Sequence, residues 1–456
     1  MTQFDYPRFR FLLGPARLAR SRFLAWVLVV AAGTFAGTAW AEPPSSTLTL
    51  DQAMTMARKA NRSLVVERAR LAQAKTNLEM AWSALFPTVA AQGRYTRNNI
   101  AFLFALTGEN GAPPEVLTIQ PKDQLDGTLS FSTPLIAPPA YAALKAVKAS
   151  VQASEADYQT SLSNVLLAVA QAYYAAGISD EVVAARQSSI EVARATLQNA
   201  QTRFATGAVT RVDVDRAELA VVKAEQGARE ARFGSEQAYR ALATLLQKNP
   251  PFKVVLTTPA KIMDEPFELE SALRLRPEIR SLDLGLRSLS AQSSAYAWRW
   301  SPTLSAFGNA RLFNYDNFAR QRHAWAVGLQ LDWVLYDGGV RDAQRHGLDA
   351  QASEIAARAD VFRDTVRDDL ANNRGLLDTK RHAQTAAERQ VDLAGETLEL
   401  VRTQYEAGNA AQIDLLQAQD GLTAAKEALA QAHYEVAVTE LSLRHAAGTF
   451  PGSLGE

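Results

Sequence analysis

The segment Trp325–Trp333 reads WAVGLQLDW, with large apolar residues at every odd position and small or polar residues at every even position. Neighbouring side chains of a β-strand point to opposite faces, so this alternation predicts a strand with one apolar and one polar face. The two tryptophans are separated by about 26 Å along such a strand. This distance is close to the height of the apolar band around a transmembrane β-barrel, roughly 25 Å.

The same alternation occurs elsewhere in the chain. Leu125–Thr133 (LDGTLSFST) alternates as regularly, and weaker alternating runs begin at Pro87 and Pro302. We therefore predict four strands per chain, each with one apolar and one polar face. A soluble β-sandwich with a filled core is the alternative that the alternation by itself leaves open.

Two stretches without proline separate and follow these strands, from about Ala140 to Phe204 and from about Val340 to Tyr405. As helices, each would be on the order of 95 Å long. After a short turn, the returning segments carry a seven-residue repeat, as at Leu415, Leu422 and Leu429, which predicts left-handed coiled packing. The predicted fold is mainly α, with long antiparallel helical hairpins and a membrane β part.

The mature chain contains an internal repeat. Leu85–Val89 (LFPTV) corresponds to Trp300–Leu304 (WSPTL), and Arg203–Gly207 (RFATG) corresponds to Gln404–Gly408 (QYEAG). A unit of this length indicates a duplicated domain rather than a solenoid module. We predict a signal peptide at 1–41, a first repeat at 42–250, a linker at 251–266, a second repeat at 267–448 and a C-terminal tail at 449–456. Each repeat is predicted to run in the order helix, two strands and long helical hairpin.

The N-terminal segment has the pattern of a secretory signal. Five arginines precede an apolar run from Phe23 to about Ala36, and small residues at Ala39 and Ala41 predict cleavage after Ala41. A single transmembrane anchor is the alternative, but the run is shorter than the roughly 20 residues that a span needs. The mature chain is therefore predicted to leave the cytoplasm, and any membrane insertion is expected through strands.

Aromatic residues concentrate where the predicted strands meet helices, and one lies at the far end of a strand. Tryptophan and tyrosine are enriched at membrane–water interfaces because their rings are apolar and carry a polar group. The predicted membrane-interface residues are Trp82, Phe86, Trp298, Trp300, Trp325, Trp333 and Tyr336.

Four strands are too few to close a barrel, and an open sheet would leave unpaired backbone groups in the hydrocarbon of a bilayer. Bacterial outer-membrane barrels have at least about eight strands, so closure requires several chains. Two chains would give a lumen largely filled by side chains, whereas three would give an open channel. A polar face on every strand favours the wider lumen, and we predict a homotrimer with a 12-stranded barrel.

Composition excludes several function classes. The chain has 48 basic and 48 acidic residues and a formal charge of zero, which argues against nucleic acid as a partner. It has no cysteine, and none of its five histidines pairs with another at short spacing, so we predict no metal site and no cofactor. The absence of a G-x-x-x-x-G-K-[ST] loop assigns any ATP hydrolysis to a partner. The protein is predicted not to be an enzyme.

These features together resemble the TolC-like outer membrane efflux protein family, whose members are trimeric channel-tunnels. The resemblance rests on the proline that opens the first strand of each half, on Leu335–Gly339 (LYDGG), and on the paired turns RFATG and QYEAG, each followed by an aspartate. It implies a passive exit duct in the cell outer membrane, with a periplasmic helical extension, for efflux or type I secretion. The implied partners are a periplasmic adaptor (membrane fusion) protein, an inner-membrane transporter and outer-membrane lipid.

The resemblance also implies roles for residues at the two helix tips. The gate candidates are Asp414, Tyr405 and Asp213, and the adaptor-binding tips are shaped by Gly207 and Gly408. The sequence departs from the family pattern at Gln417, where a second gate aspartate is expected, and at Ala410, where an arginine that links the tips is expected. The first half also has Ile136–Pro139 (IAPP) where the second half has its Asp-Gly-Gly.

Simpler explanations for the tip residues remain open. Thr210–Asp213 (TRVD) resembles a capping box, so the alternative role of Asp213 is to start a helix. The alternative role of Asp414 is to complement the dipole at the N-terminus of a helix. The alternative role of Tyr405 is helix packing, and the alternative role of Gly207 and Gly408 is to end the preceding helices. For the whole protein, the alternative function is a periplasmic coiled-coil scaffold or adaptor, and an extracytoplasmic enzyme is a weaker third possibility.

Overall fold

A computed structural model of the protein describes residues 46–106, 115–256, 268–316 and 321–450. The predicted signal peptide lies outside these ranges, as do most of the predicted linker and C-terminal tail. The helices are α1 (Leu50–Ala60), α2 (Arg62–Ser83), α3 (Pro138–Ala205), α4 (Arg211–Leu246), α5 (Leu269–Leu275), α6 (Pro277–Trp298), α7 (Val340–Glu406) and α8 (Gln412–Ala446). The strands are β1 (Ser46–Leu48), β2 (Thr88–Arg97), β3 (Phe102–Leu106), β4 (Glu115–Gln120), β5 (Asp123–Ile136), β6 (Phe252–Val254), β7 (Thr303–Phe313) and β8 (His323–Asp332).

The two long helices that the sequence predicts are present, and their ends agree with the prediction to within two residues. Helix α3 has 68 residues and α7 has 67, so each is about 100 Å long. Helix α3 begins at Pro138, where a missing backbone N–H is tolerated because the first turn has no intrahelical acceptor for it. The fold is mainly helical, as predicted.

Each long helix turns back into a shorter partner, which gives the hairpins α3–α4 and α7–α8. Small residues allow the first pair to approach closely, since three alanines, Ala193 of α3 and Ala224 and Ala228 of α4, are buried in one cluster with Ile190. Helix α6 packs on α3 nearer the sheet, where Ser288 donates a hydrogen bond to the carbonyl of Ala146 (3.4 Å). Helix α8 packs against both α7 and α3.

Helix α3 also contains an 18-residue window that is apolar enough to cross a membrane, and 44% of that window is buried. The buried residues of α3 include Leu166, Val169 and Tyr173, which belong to the largest described core cluster together with Leu242 and Leu441 of α4 and α8. Packing against the neighbouring helices accounts for these buried apolar residues.

A short parallel strand pair joins the start of the described chain to the end of the first repeat. Strand β1 pairs with β6, so the predicted linker 251–266 begins with a strand that the sequence did not predict. The buried hydroxyl of Tyr173 donates to the carbonyls of Leu48 (3.1 Å) and Val255. Burial raises the pKa of Tyr173 to about 12, so this tyrosine remains a neutral donor at physiological pH.

The four predicted strands form one antiparallel sheet in the order β2-β5-β7-β8. Ala91, Leu129, Ala310 and Trp325 lie in one row across it, so the apolar faces of all four strands coincide. Gln92, Thr128 and Arg311 follow in a row on the opposite face. The sheet of one chain is open, since β2 and β8 are the edge strands and neither pairs on its outer side within the described residues.

The first half also contains a β-hairpin that the alternation pattern does not predict. Strand β3 pairs with β4 between β2 and β5, so the predicted order of helix, two strands and long helix holds only for the second half. The physical reason is visible in Ala101–Leu106 (AFLFAL), which is continuously apolar and therefore has no alternation to detect. Phe102, Leu103 and Phe104 are exposed on this hairpin.

Candidate functional site: the hairpin tips and the exposed sheet

The first tip is the turn between α3 and α4. Gly207 has a φ of +74°, a left-handed conformation that strains a residue with a Cβ. The N–H groups of Gly207 and Ala208 donate to the carbonyls of Phe204 and Arg203 (both 2.9 Å), which satisfies acceptors at the end of α3. The predicted helix-ending role of Gly207 is therefore present in the backbone geometry.

Asp213 lies in the first turn of α4 and bonds back to Thr210. Its Oδ2 accepts hydrogen bonds from the backbone N–H (2.9 Å) and the hydroxyl (2.7 Å) of Thr210. These hydrogen bonds hold the pKa of Asp213 below its ordinary value of 3.8. The capping role that the sequence left open for Asp213 is thus present.

The second tip repeats this arrangement with fewer polar contacts. Gly408 has a φ of +79°, and the N–H of Asn409 donates to the carbonyl of Gln404 (2.8 Å). Asp414 Oδ2 accepts the backbone N–H of Ala411 (3.1 Å), but Ala411 offers no hydroxyl for a second bond. Asp414 is exposed and carries fewer hydrogen bonds from its own turn than Asp213 does.

Tyr405 connects the two tips, although it belongs to the last turn of α7. Its side chain is only 5% exposed, and its hydroxyl has no hydrogen-bond partner among the described residues. The guanidinium of Arg203, from the first tip, lies 4.7 Å from the centre of the Tyr405 ring. The sequence gives no indication of this contact, because Arg203 and its acceptor Tyr405 are 202 residues apart along the chain.

All seven predicted interface aromatics are exposed in the single chain. Trp325 is the most exposed tryptophan in the described ranges, at 72%, and lies near the end of β8 farthest from the helices. At the other end, Trp333 donates its indole N–H to the carbonyl of Trp300 (3.0 Å), and the two rings pack edge to face at 5.7 Å. Exposed aromatic side chains therefore stand at both ends of the sheet.

The described ranges contain no group of three or more His, Asp or Glu side chains placed to hold a metal ion. The polar groups at the tips instead form hydrogen bonds within turns, and one arginine spans the two hairpins. This arrangement restrains the helix tips and places the carboxylates of Asp213 and Asp414 there.

The sequence profile of one family, described as outer membrane efflux protein, matches residues 53–247 and 269–449. The chain belongs to the outer membrane efflux protein family. The matched segments lie on either side of the predicted linker; the first lies within the first predicted repeat, and the second ends one residue beyond the second. The predicted family, transport function and outer-membrane localisation are confirmed, and the channel function is favoured over a periplasmic scaffold.

Individual proteins give the same result. Nodulation protein T of Rhizobium leguminosarum bv. trifolii is 29% identical over 287 residues, which are 59% of this chain and 59% of that protein. Protein CyaE of Bordetella pertussis is 25% identical over 390 residues, covering 83% of this chain and 80% of that protein. The crystal structure of the CmeC outer membrane channel of Campylobacter jejuni superposes with a TM-score of 0.74 at 18% identity, covering 89% of this chain and 86% of that one.

Members of this family form trimeric channels that work with adaptor and pump partners, and the family is a transport family rather than an enzyme family. The fold and the family are therefore established together for this chain.

Proposed function

We propose that three copies of this chain close a 12-stranded barrel in the outer membrane and form a passive exit duct through it. The observation that carries the proposal is the open four-stranded sheet, whose apolar face is exposed and whose edge strands β2 and β8 have no partner on their outer sides among the described residues. Unpaired backbone groups in hydrocarbon cost several kcal/mol each. Pairing of β8 with β2 of the next chain removes both edges.

The aromatic residues support the same placement. Trp325 and Trp333 lie on opposite ends of one apolar face, and a tilt of about 40° reduces their separation to about 20 Å along the membrane normal. Lipid is the partner that these exposed rings fit, with Trp82, Phe86, Trp298, Trp300 and Tyr336 completing the interface on the helix side. The hairpins α3–α4 and α7–α8 would then extend into the periplasm.

The tips are the part of this duct that reaches toward other proteins. A periplasmic adaptor would contact the turns shaped by Gly207 and Gly408, and an inner-membrane transporter would supply the energy, since the duct has no catalytic activity of its own. Asp414, Tyr405 and Asp213 would restrict the passage at the same end. We also propose the organisation stated above, with repeats at 42–250 and 267–448 after removal of 1–41.

The experiment is purification of the mature protein in detergent, followed by reconstitution in a planar bilayer. The expected result is a trimer by light scattering and discrete ionic currents after insertion. A monodisperse monomer that stays in solution without detergent would overturn the proposal.

Testing the gate role of Asp414 needs a pair of variants. Asp414→Ala removes the carboxylate altogether, so it abolishes both the hydrogen bond that caps α8 and any charge at a gate. Asp414→Asn keeps an oxygen that can accept the N–H of Ala411 but removes the negative charge. A gate residue predicts altered cation selectivity in both variants. A residue that only caps α8 predicts that Asp414→Asn conducts as the wild type does.

A further inference from the structure

Arg203 makes a contact between the two hairpins of one chain at their tips. Its two terminal nitrogens donate to consecutive carbonyls at the end of α7, one to Tyr405 (3.2 Å) and one to Glu406 (3.3 Å). The other hydrogen bonds from α3 to the second hairpin lie farther from the turns, as between Gln419 and Thr196 (2.9 Å) and between Arg186 and Glu427 (2.8 Å). Of these three hydrogen-bonding residues of α3, Arg203 lies nearest the turns.

The geometry suits arginine in particular. The last carbonyls of a helix lack intrahelical donors and carry the negative end of the helix dipole, so they attract a cation. The guanidinium fork reaches two such acceptors at once and stacks its plane on an aromatic ring. Lysine has the charge but only a single ammonium point, so it cannot reproduce both hydrogen bonds together with the stacking.

Tyr405 is the residue that this contact holds in place. Its ring packs under the Arg203 guanidinium while its hydroxyl is buried without a partner among the described residues. A buried hydroxyl without a hydrogen bond opposes the conformation that contains it. The buried hydroxyl therefore destabilises this position of Tyr405, and the contact with Arg203 of the other hairpin stabilises it.

We infer that Arg203 is a positioning residue that fastens the end of α7 to the first tip and thereby restrains opening of the passage at the tips. The inference rests on the proposed function as a gated duct. When the contact is lost, the end of α7 is released from α3, Tyr405 is free to leave its buried site, and the spacing between the two tips widens.

The test compares Arg203→Ala, Arg203→Lys and Arg211→Ala in planar bilayers. Arg211 is the matched control, since it lies at the same tip but pairs within α4 with Asp215 (2.9 Å). Removal of a charged hydrogen-bonding group is expected to raise the open-state occupancy of Arg203→Ala by about tenfold. Arg203→Lys should fall between Arg203→Ala and the wild type, and Arg211→Ala should match the wild type. Equal occupancy in all four proteins would overturn the inference.

Hydrogen exchange of the amides in residues 403–412 gives a readout that does not depend on conductance. Faster exchange there in Arg203→Lys, with unchanged exchange in Arg211→Ala, supports the contact even if Arg203→Ala does not assemble. Unchanged exchange in Arg203→Lys would refute it. A wild-type protein that carries no current would count against the duct itself, while the exchange comparison would still decide the role of Arg203.

Discussion

Leu329→Arg tests whether the apolar face of the sheet contacts lipid. Leu329 is 67% exposed in the single chain and lies midway between Trp325 and Trp333. If those tryptophans mark the two interfaces, this side chain is at the middle of the bilayer. Arginine on the lipid face of a barrel costs about 2–4 kcal/mol at that depth and close to nothing near the interface. A cost of about 2–4 kcal/mol lowers the ratio of inserted to unfolded protein by roughly 30-fold to 900-fold.

The control is Gln330→Arg, at the next residue and almost the same depth. Gln330 lies on the polar face, where its side-chain amide donates to Asp332 (3.0 Å), so an arginine there would enter a watery lumen. We would refold urea-denatured variants into phosphatidylcholine vesicles and measure the urea midpoint of insertion and the yield of trimer. Leu329→Arg should insert poorly and Gln330→Arg should insert as the wild type does. Equal insertion of the two variants would refute the lipid-facing assignment.

Two further outcomes follow from the tips. Gly408→Ala should lower stability by about 1 kcal/mol because alanine disfavours a positive φ, whereas Gly395→Ala within α7, where a Cβ also meets nothing, should raise it by about 0.5–1 kcal/mol; urea unfolding in detergent measures both, and a loss of the same size in both variants would contradict the strain argument. Because the pKa of Asp213 is lowered in the fold, its ionised carboxylate stabilises the fold at pH values above its ordinary pKa of 3.8. This stabilisation is lost as the pH falls through the lower pKa of the folded state. The stability difference between the wild type and Asp213→Asn should therefore shrink below about pH 4 in thermal unfolding followed by circular dichroism, and a difference that is constant from pH 6 to pH 3 would contradict stabilisation by the ionised carboxylate.

Features whose signal is local were readable from the sequence. The alternation in Trp325–Trp333 predicted β8, and the absence of proline located α7 to within a residue at each end. The capping pattern at Thr210 and Asp213 was also visible, because its partners are three residues apart.

Features whose partners are distant in sequence were not readable. Strand β1 pairs with β6 about two hundred residues later, and neither three-residue segment has enough length for a periodic signal. The contact from Arg203 to the end of α7 was also not predictable, because the segment RFATG does not indicate which carbonyls its arginine contacts.

The duplication nevertheless shows where such contacts belong. When Gly207 is aligned with Gly408, Arg203 corresponds to Gln404, Phe204 to Tyr405 and Thr210 to Ala411. The two tips have the same backbone, but they differ at each of these positions. Gln404 has no guanidinium to return the contact, Phe204 is 43% exposed where Tyr405 is buried, and Ala411 lacks the hydroxyl that binds Asp213.

A symmetric pair of hairpins would give each tip the same restraint. In this chain the first tip donates the arginine and holds its own aspartate firmly, while the second tip receives the arginine and leaves Asp414 with a single backbone hydrogen bond. The second tip is therefore the one whose position depends on another hairpin, and the one whose carboxylate is less constrained by its own turn. If the tips gate the passage as proposed, both properties are expected of the part that moves, and the differences between the repeats then favour α7 and α8 for that part.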